Sequence, residues 1–313
     1  MNIRLILSGL AASAALCVIS GTARAQIFVA NIAQGAAGAG TIAEYTTAGA
    51  LVNPTLISGL SYPQGIAVSG DRLFVANLLT GTIGEYTTSG TVVNPALISG
   101  LNAPGAIAVS GGDLYVATSH VDIEAQMIGK YTTSGATVNA ALIPQLGPVA
   151  AIAVSGDNLF LSDPSATMIG KYTTSGALVN PALVSGLSFP GGIAISGDKL
   201  FVVNGGTGPG TGTIGEYTTS GATLNASLIS GLTFPRAIAI SGDKLFVASF
   251  QTGTIGEYTT SGATVNASLI SGLNQPGNIA VVSASVPEAS SVTLLLLGVA
   301  AMFGLESLLR RRA

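Results

Sequence analysis

The chain has 313 residues, 48% hydrophobic and only 8% charged, with one cysteine, one histidine and no tryptophan. Between positions 26 and 285, six basic residues face twelve acidic ones, a net charge of −6. That balance leaves no basic footprint for a phosphate backbone and excludes nucleic acid as a partner; regularly placed Ile, Leu, Val, Phe and Tyr exclude disorder.

In chain order, residues 1–25 read as a secretory signal peptide. Arg4 supplies the positive start, positions 5–19 are almost wholly apolar, and Ala23 and Ala25 form the small-x-small pattern that signal peptidase cuts. An uncleaved membrane helix is the alternative. Cys17 lies inside this segment, and Leu16 stands where a lipoprotein signal wants a small residue. Residues 26–285 therefore carry no thiol, which excludes disulfides, cysteine-ligated zinc and cysteine nucleophiles there.

Internal repetition dominates the next 260 positions. Ile27-Phe28-Val29, Leu73-Phe74-Val75, Leu114-Tyr115-Val116, Leu159-Phe160-Leu161, Leu200-Phe201-Val202 and Leu245-Phe246-Val247 open equivalent segments, spaced by 46, 41, 45, 41 and 45 residues. After each come a variable stretch, a Thr-Ile-Gly-Glu-Tyr-like strand, a Thr-Thr-Ser-Gly turn, a Leu-Val-Asn-Pro-Ala-Leu-Ile-like strand and a Gly-Ile-Ala-Val-like strand. Four short apolar strands per unit, separated by Gly, Ser, Asp and Pro, predict a propeller blade. A β-solenoid is the rival, although its coils are usually shorter and need caps.

The phase of the repeats favours a ring. The first unit starts at its second strand, and the last ends with a spare first strand at 278–282. Pairing the two would seal a sixth blade and tie down both ends. Alanine at 67, 108, 153, 194, 239 and 280 marks the innermost strand, where blades converge. Pro54, Pro95 and Pro181 mark an outer edge, where a ladder donor is dispensable. The expected class is all-β: a six-bladed β-propeller over 26–285, flanked by an N-terminal signal helix and a C-terminal transmembrane helix. The units resemble NHL-type propeller repeats in Pro63-Gln64-Gly65-Ile66-Ala67-Val68 and in Asp71-Arg72-Leu73-Phe74-Val75-Ala76-Asn77. That resemblance implies fold and leaves function open.

The tail, 286–313, carries a second address. Val286, Pro287 and Glu288 precede an apolar stretch, and Arg310, Arg311 and Arg312 follow it. Positions 292–309 would span about 27 Å as a helix at about 1.5 Å per residue, close to a hydrocarbon core of about 30 Å. The arginines are expected to stay cytoplasmic, which leaves the repeats outside. This tail resembles the PEP-CTERM sorting signal read by an exosortase, with Ala289 in place of the usual second proline. The resemblance implies a surface or matrix location, often with extracellular polysaccharide; a permanent single-span anchor is the alternative.

Alternating strand directions put the Ser-Gly-Asp and Thr-Thr-Ser-Gly turns on one face and the other loops on the opposite face. Loop diversity is confined to the second face, at 34–40, 119–127, 162–167 and 205–212, so binding is expected there. Asn31, Asn77, Thr118, Asp163, Asn204 and Ser249 end the second strand of each unit on that face. They read either as turn formers or as a polar ring lining a ligand mouth. His120, Asp122 and Glu124 share the longest charged loop, and their spacing could present a metal with three ligands, although a lone loop histidine usually binds nothing. Glu44, Glu85, Lys130, Lys171, Glu216 and Glu257 form a charge series read as serving solubility and blade-to-blade complementarity.

No nucleophile elbow, phosphate loop or distinct carboxylate pair is found. The expectation is thus a protein that is not an enzyme and holds no metal or cofactor, an exported surface or matrix propeller binding a polysaccharide or protein. The alternative is a metal-dependent lyase or lactonase of the six-bladed type. Only Asp163 and the Asn ring would serve as its ligands.

Overall fold

The computed structural model describes residues 25–32, 38–119 and 125–283. The expected signal and transmembrane helices, with Ala23, Val286, Pro287, Glu288 and Arg310 to Arg312, lie outside them, as does the segment with His120, Asp122 and Glu124. Residues 25–283 form a compact unit.

The unit contains six four-stranded antiparallel sheets. Blade 1 holds β1 (Gln26–Asn31), β2 (Gly40–Thr46) and β3 (Leu51–Leu60), and blade 2 holds β4 (Pro63–Ser69), β5 (Arg72–Asn77), β6 (Thr82–Thr87) and β7 (Val92–Ile98). Blade 3 holds β8 (Ile107–Ser110), β9 (Asp113–Ser119), β10 (Gln126–Thr132) and β11 (Thr137–Leu146). Blade 4 holds β12 (Ala151–Ser155), β13 (Asn158–Asp163), β14 (Met168–Thr173) and β15 (Leu178–Ser185). Blade 5 holds β16 (Pro190–Ser196), β17 (Lys199–Asn204), β18 (Gly212–Thr218) and β19 (Thr223–Leu232). Blade 6 holds β20 (Pro235–Ser241), β21 (Lys244–Ser249), β22 (Thr254–Thr259) and β23 (Thr264–Ile270), and the chain ends with β24 (Pro276–Val282).

β24 is the missing fourth strand of blade 1. It pairs with β1 through Gln26↔Val282, Ile27↔Val281, Phe28↔Ala280 and Val29↔Ile279. Its other neighbours are β20 and β4, so the six inner strands form a closed circle. The expected ring and its seam are what the structure contains.

The core is six layers, each pressed between adjacent blades. Successive side chains of a strand point to opposite faces. Leu73 and Val75 accordingly pack against blade 1, and Phe74 and Ala76 against blade 3. Both faces are buried, which is why these strands are continuously apolar instead of alternating. Phe28, Phe74, Tyr115, Phe160, Phe201 and Phe246 are each at most 1% exposed, worth about 1.5–3 kcal/mol apiece. The sixth layer joins Ile27 and Val29 to Phe246, Ile255 and Ile279, so the seam has the same composition as the other joints.

The charge series plays a different part from the one expected. Partners lie within a blade, on neighbouring strands: Arg72 with Glu85, Lys130 with Asp113 at 2.9 Å, and Lys199 with Glu216 at 2.7 Å. Lys244 and Glu257 make the same pair in blade 6. Blade 3 inverts the polarity and keeps the pairing. Only Lys171, which lies opposite Phe160 and Asn180 in its own blade, reaches the next one, donating to the Thr219 carbonyl at 3.1 Å.

Candidate functional site

At the variable-loop end of the circle, the inner strands open into a cavity of about 370 Å³. Its base is a ring of isoleucines, one per blade: Ile66, Ile107, Ile152, Ile193, Ile238 and Ile279. Above that ring the wall is mostly glycine and alanine, as expected where six backbones converge. Polar groups at the wall are Gln64, Ser119, Gln126, Arg236 and Asn278. Arg236 is the only charged residue among the described residues of this lining.

Two of these side chains are re-aimed by local backbone geometry. Pro63 pairs with Asn77 while Gly65 pairs with Ala76, which leaves Gln64 as the extra residue of a β-bulge. Arg236 is the extra residue between Pro235↔Ser249 and Ala237↔Ala248. A bulge bends its strand and re-aims the unpaired side chain, here into the mouth. Arg236 donates from Nη2 to Gln64 Oε1 at 3.2 Å, spanning from blade 6 to blade 2. Its guanidinium carbon lies 4.9 Å from the centre of the Phe250 ring, a cation–π contact worth about 0.5–2 kcal/mol. Arg236 is open to solvent, yet the concave wall crowds it, and the resulting desolvation lowers its pKa, with nearby Tyr62 opposing the shift. No described carboxylate is paired with it.

The rim is held by a repeated device. Tyr62, Phe189 and Phe234, each just before a proline, have left-handed backbones with φ of 58°, 49° and 46°. Their carbonyls accept hydrogen bonds from the amides of Leu78, Gly205 and Phe250 at 3.2, 3.1 and 3.2 Å. These bonds tie together the two loops of a blade that face the mouth, and hold non-glycine residues in a conformation costing about 1–3 kcal/mol each. Phe250 is thereby fixed beneath Arg236.

The polar ring expected from the sequence lies elsewhere. Asn77, Thr118, Asn204 and Ser249 are buried, and none of these four, nor Asn31 or Asp163, is in the cavity wall. The Asn31, Asn77 and Asn204 amides donate to Thr41, Thr82 and Thr213 at 3.4, 3.5 and 3.2 Å. Asp163 accepts from the Ser165 and Ala166 amides at 2.9 and 2.8 Å. These residues lie at or next to the end of a second strand, with the inner strand between them and the channel; Asp163 caps its own turn, and the three asparagines bridge to the neighbouring strand. Asp163 lines a separate cleft of about 210 Å³ with Gly147 and Tyr172. His120, Asp122 and Glu124 lie outside the described residues.

Sequence reasoning missed Arg236, Gln64 and Phe250. The signal existed as a contrast between repeats. The position after proline is Gln64, Gly105, Val149, Gly191, Arg236 and Gly277, and only one of these is charged.

The described residues of this mouth do not by themselves supply the ligands of the divalent cation assumed for a lactonase. The described lining has no carboxylate or histidine, and no three His, Cys, Asp or Glu are grouped among the described residues. A hard cation takes six or more oxygen ligands, commonly including carboxylates, and the one ionic group of the described lining is itself a cation.

No protein-family model and no curated protein matches the chain. Solved structures do. The nidogen/laminin complex contains a chain 14% identical, with a TM-score of 0.65, covering 82% of this chain and 98% of that one. The periplasmic gluconolactonase of Pseudomonas aeruginosa is 15% identical, with a TM-score of 0.58 and coverage of 83% and 99%. A gluconolactonase from Xanthomonas campestris is 16% identical, with a TM-score of 0.58 and coverage of 80% and 87%. At these identities the likeness establishes the fold. The expectation that the chain is not an enzyme is nevertheless corrected: two of these chains are enzymes on the same architecture, and catalytic groups set on mouth loops need leave no sequence motif. The protein is a six-bladed β-propeller whose mouth, among the described residues, is polar and singly cationic.

Proposed function

We propose that this is an exported propeller whose channel mouth takes a small hydroxylated ligand, free or at the end of a polysaccharide chain. The observation that carries the reading is the cavity itself, lined by small side chains with an arginine, two glutamines, a serine and an asparagine around it. Its volume falls within the range of small-ligand sites, about 300–1,000 Å³. Amide and hydroxyl groups on a rigid apolar frame match a ligand rich in hydroxyls. The signal-like residues 1–25 and the sorting-like tail support export by signal peptidase and attachment or release by an exosortase, close to extracellular polysaccharide. The test is calorimetric titration with oligosaccharides from the producing organism's own matrix, against Ala150→Trp as a blocked-mouth variant. Equal binding by both proteins would refute the site.

Catalysis at the same mouth is the second reading, favoured by the two gluconolactonases among the proteins of like fold. Hydrolysis of glucono-1,5-lactone, followed by proton release with and without added Ca²⁺, Mg²⁺ or Zn²⁺, decides it. Turnover above the spontaneous rate that Ala150→Trp abolishes would establish an enzyme. A rate equal to the buffer blank under every condition would remove lactonase activity.

A further inference from the structure

We infer that Arg236, set against Phe250 and Gln64 in the channel mouth, recognises the carboxylate of a sugar acid, so that the ligand of this propeller is an aldonate or uronate and not a neutral sugar. The inference rests on the mouth being the ligand site and adds the class of ligand.

Three observations lead to it. The first is charge. The described lining carries one cation and no carboxylate, whereas the other basic residues of the propeller are engaged elsewhere: Arg72, Lys130, Lys199 and Lys244 with acids of their own blades, Lys171 with a backbone carbonyl. Among the described residues, this cation in a concave site has no counter-charge, the partner such groups normally have.

The second is orientation. A guanidinium offers five donors in a planar fork. Among the described residues its one hydrogen-bond acceptor is Gln64 Oε1. The Phe250 ring lies 4.9 Å from the guanidinium carbon and uses none of its donors. A guanidinium held between Phe250 and Gln64 with spare N–H groups matches a carboxylate through two parallel bonds.

The third is the number of charges. A phosphate group at neutral pH carries nearly two negative charges, and the propeller as a whole carries −6. One arginine offsets one charge, which suits a monoanion. Gln64, Ser119, Gln126 and Asn278 then face the hydroxyl-bearing carbons, for which amides and hydroxyls are suitable partners. Backbone bulges place both Arg236 and Gln64, so the site is built into the inner strands.

The test uses the full-length chain and three probes: D-glucuronate, its neutral amide and inorganic phosphate, with binding read by calorimetry or by ligand-observed NMR. Glucuronate is expected to bind at least tenfold more tightly than the amide. Arg236→Gln should weaken glucuronate roughly ten- to a hundredfold, the range for losing a charge-assisted hydrogen-bonded pair, and weaken the neutral amide much less. Arg236→Lys should recover part of the loss. Circular dichroism and thermal melting check that the variants keep the fold. Equal affinity for acid and amide, or an Arg236→Gln protein that binds glucuronate as wild type does, overturns the inference and leaves the mouth a sugar site. Displacement of glucuronate by an equal concentration of phosphate overturns the carboxylate class. Binding of no probe by the folded wild-type chain overturns both the inference and the site beneath it.

Discussion

Replacing Gly49 by alanine should loosen the seam of the ring, and a second glycine provides the control. Gly49 closes the turn after β2 with φ +84°, and a Cβ there would lie 2.5 Å from the Leu269 carbonyl oxygen of blade 6. Gly59 in β3 has a similar φ of +76° with nothing within 4 Å of the added atom. Both substitutions meet the left-handed backbone penalty of about 1–2 kcal/mol for a residue with a Cβ. Only Gly49→Ala must also push a strand of the neighbouring blade aside, an overpacking cost of about 1–3 kcal/mol. For a domain of this size each kcal/mol moves the melting temperature by about 2–4 °C. Scanning calorimetry should therefore show Gly49→Ala melting about 2–12 °C below Gly59→Ala. The corresponding turn glycines repeat the contact, as with Gly90 against the Leu56 carbonyl in the neighbouring blade, so Gly90→Ala should behave like Gly49→Ala. Equal melting of the Gly49 and Gly59 variants would refute the view that these turns clasp one blade to the next.

Other outcomes follow from the charges and the core. Blades 2, 5 and 6 give the corresponding glutamate a cation, but in blade 1 buried Glu44 has only the Gln26 amide, and burial raises its pKa while that hydrogen bond opposes the rise. A raised folded-state pKa means stability that is whole below the unfolded-state value and lost as pH climbs through the folded one. Glu44→Gln and Gln26→Lys should both resist urea better than wild type at pH 7, with the Glu44→Gln gain vanishing near pH 3; a gain that persists there would count against the argument. Burial likewise pushes Tyr86, Tyr131, Tyr217 and Tyr258 above the ordinary tyrosine value. At pH 11 the folded protein should thus absorb less as tyrosinate than the urea-unfolded one, and the fold should weaken as those groups ionise. Phe246→Ala, at a position 0% exposed, should cost about 3–5 kcal/mol. Val265→Ser, 55% exposed on the outermost strand, should stay within about 0.5 kcal/mol of wild type by chemical denaturation.

The architecture was legible because it is written six times. Leu73-Phe74-Val75 and its counterparts announce strands buried on both faces, and the offset of Ile27 against Ile279 announces a sheet made from both ends of the chain. Alanine at the inner strand and proline at the outer one ordered the strands within a blade. The roles of individual polar groups were not legible in the same way. Glu85, Lys130 and Glu216 show that a charge series exists, but their partners sit one strand away and became visible only through the register.

The amino-acid order alone determined the number of blades, the face that varies and the closure of the ring, since each follows from a pattern of apolar and turn residues that recurs along the chain. Tertiary structure decided which residues meet at the mouth. Asn31, Asn77 and Asn204 end strands on the variable face yet are screened from the channel by the strand inside them, whereas Gln64 and Arg236, 172 positions apart, are turned toward it by bulges and come within hydrogen-bonding distance. Contact across a ring depends on where strands bulge and how far the bend turns a side chain, and neither quantity is carried by any local run of residues.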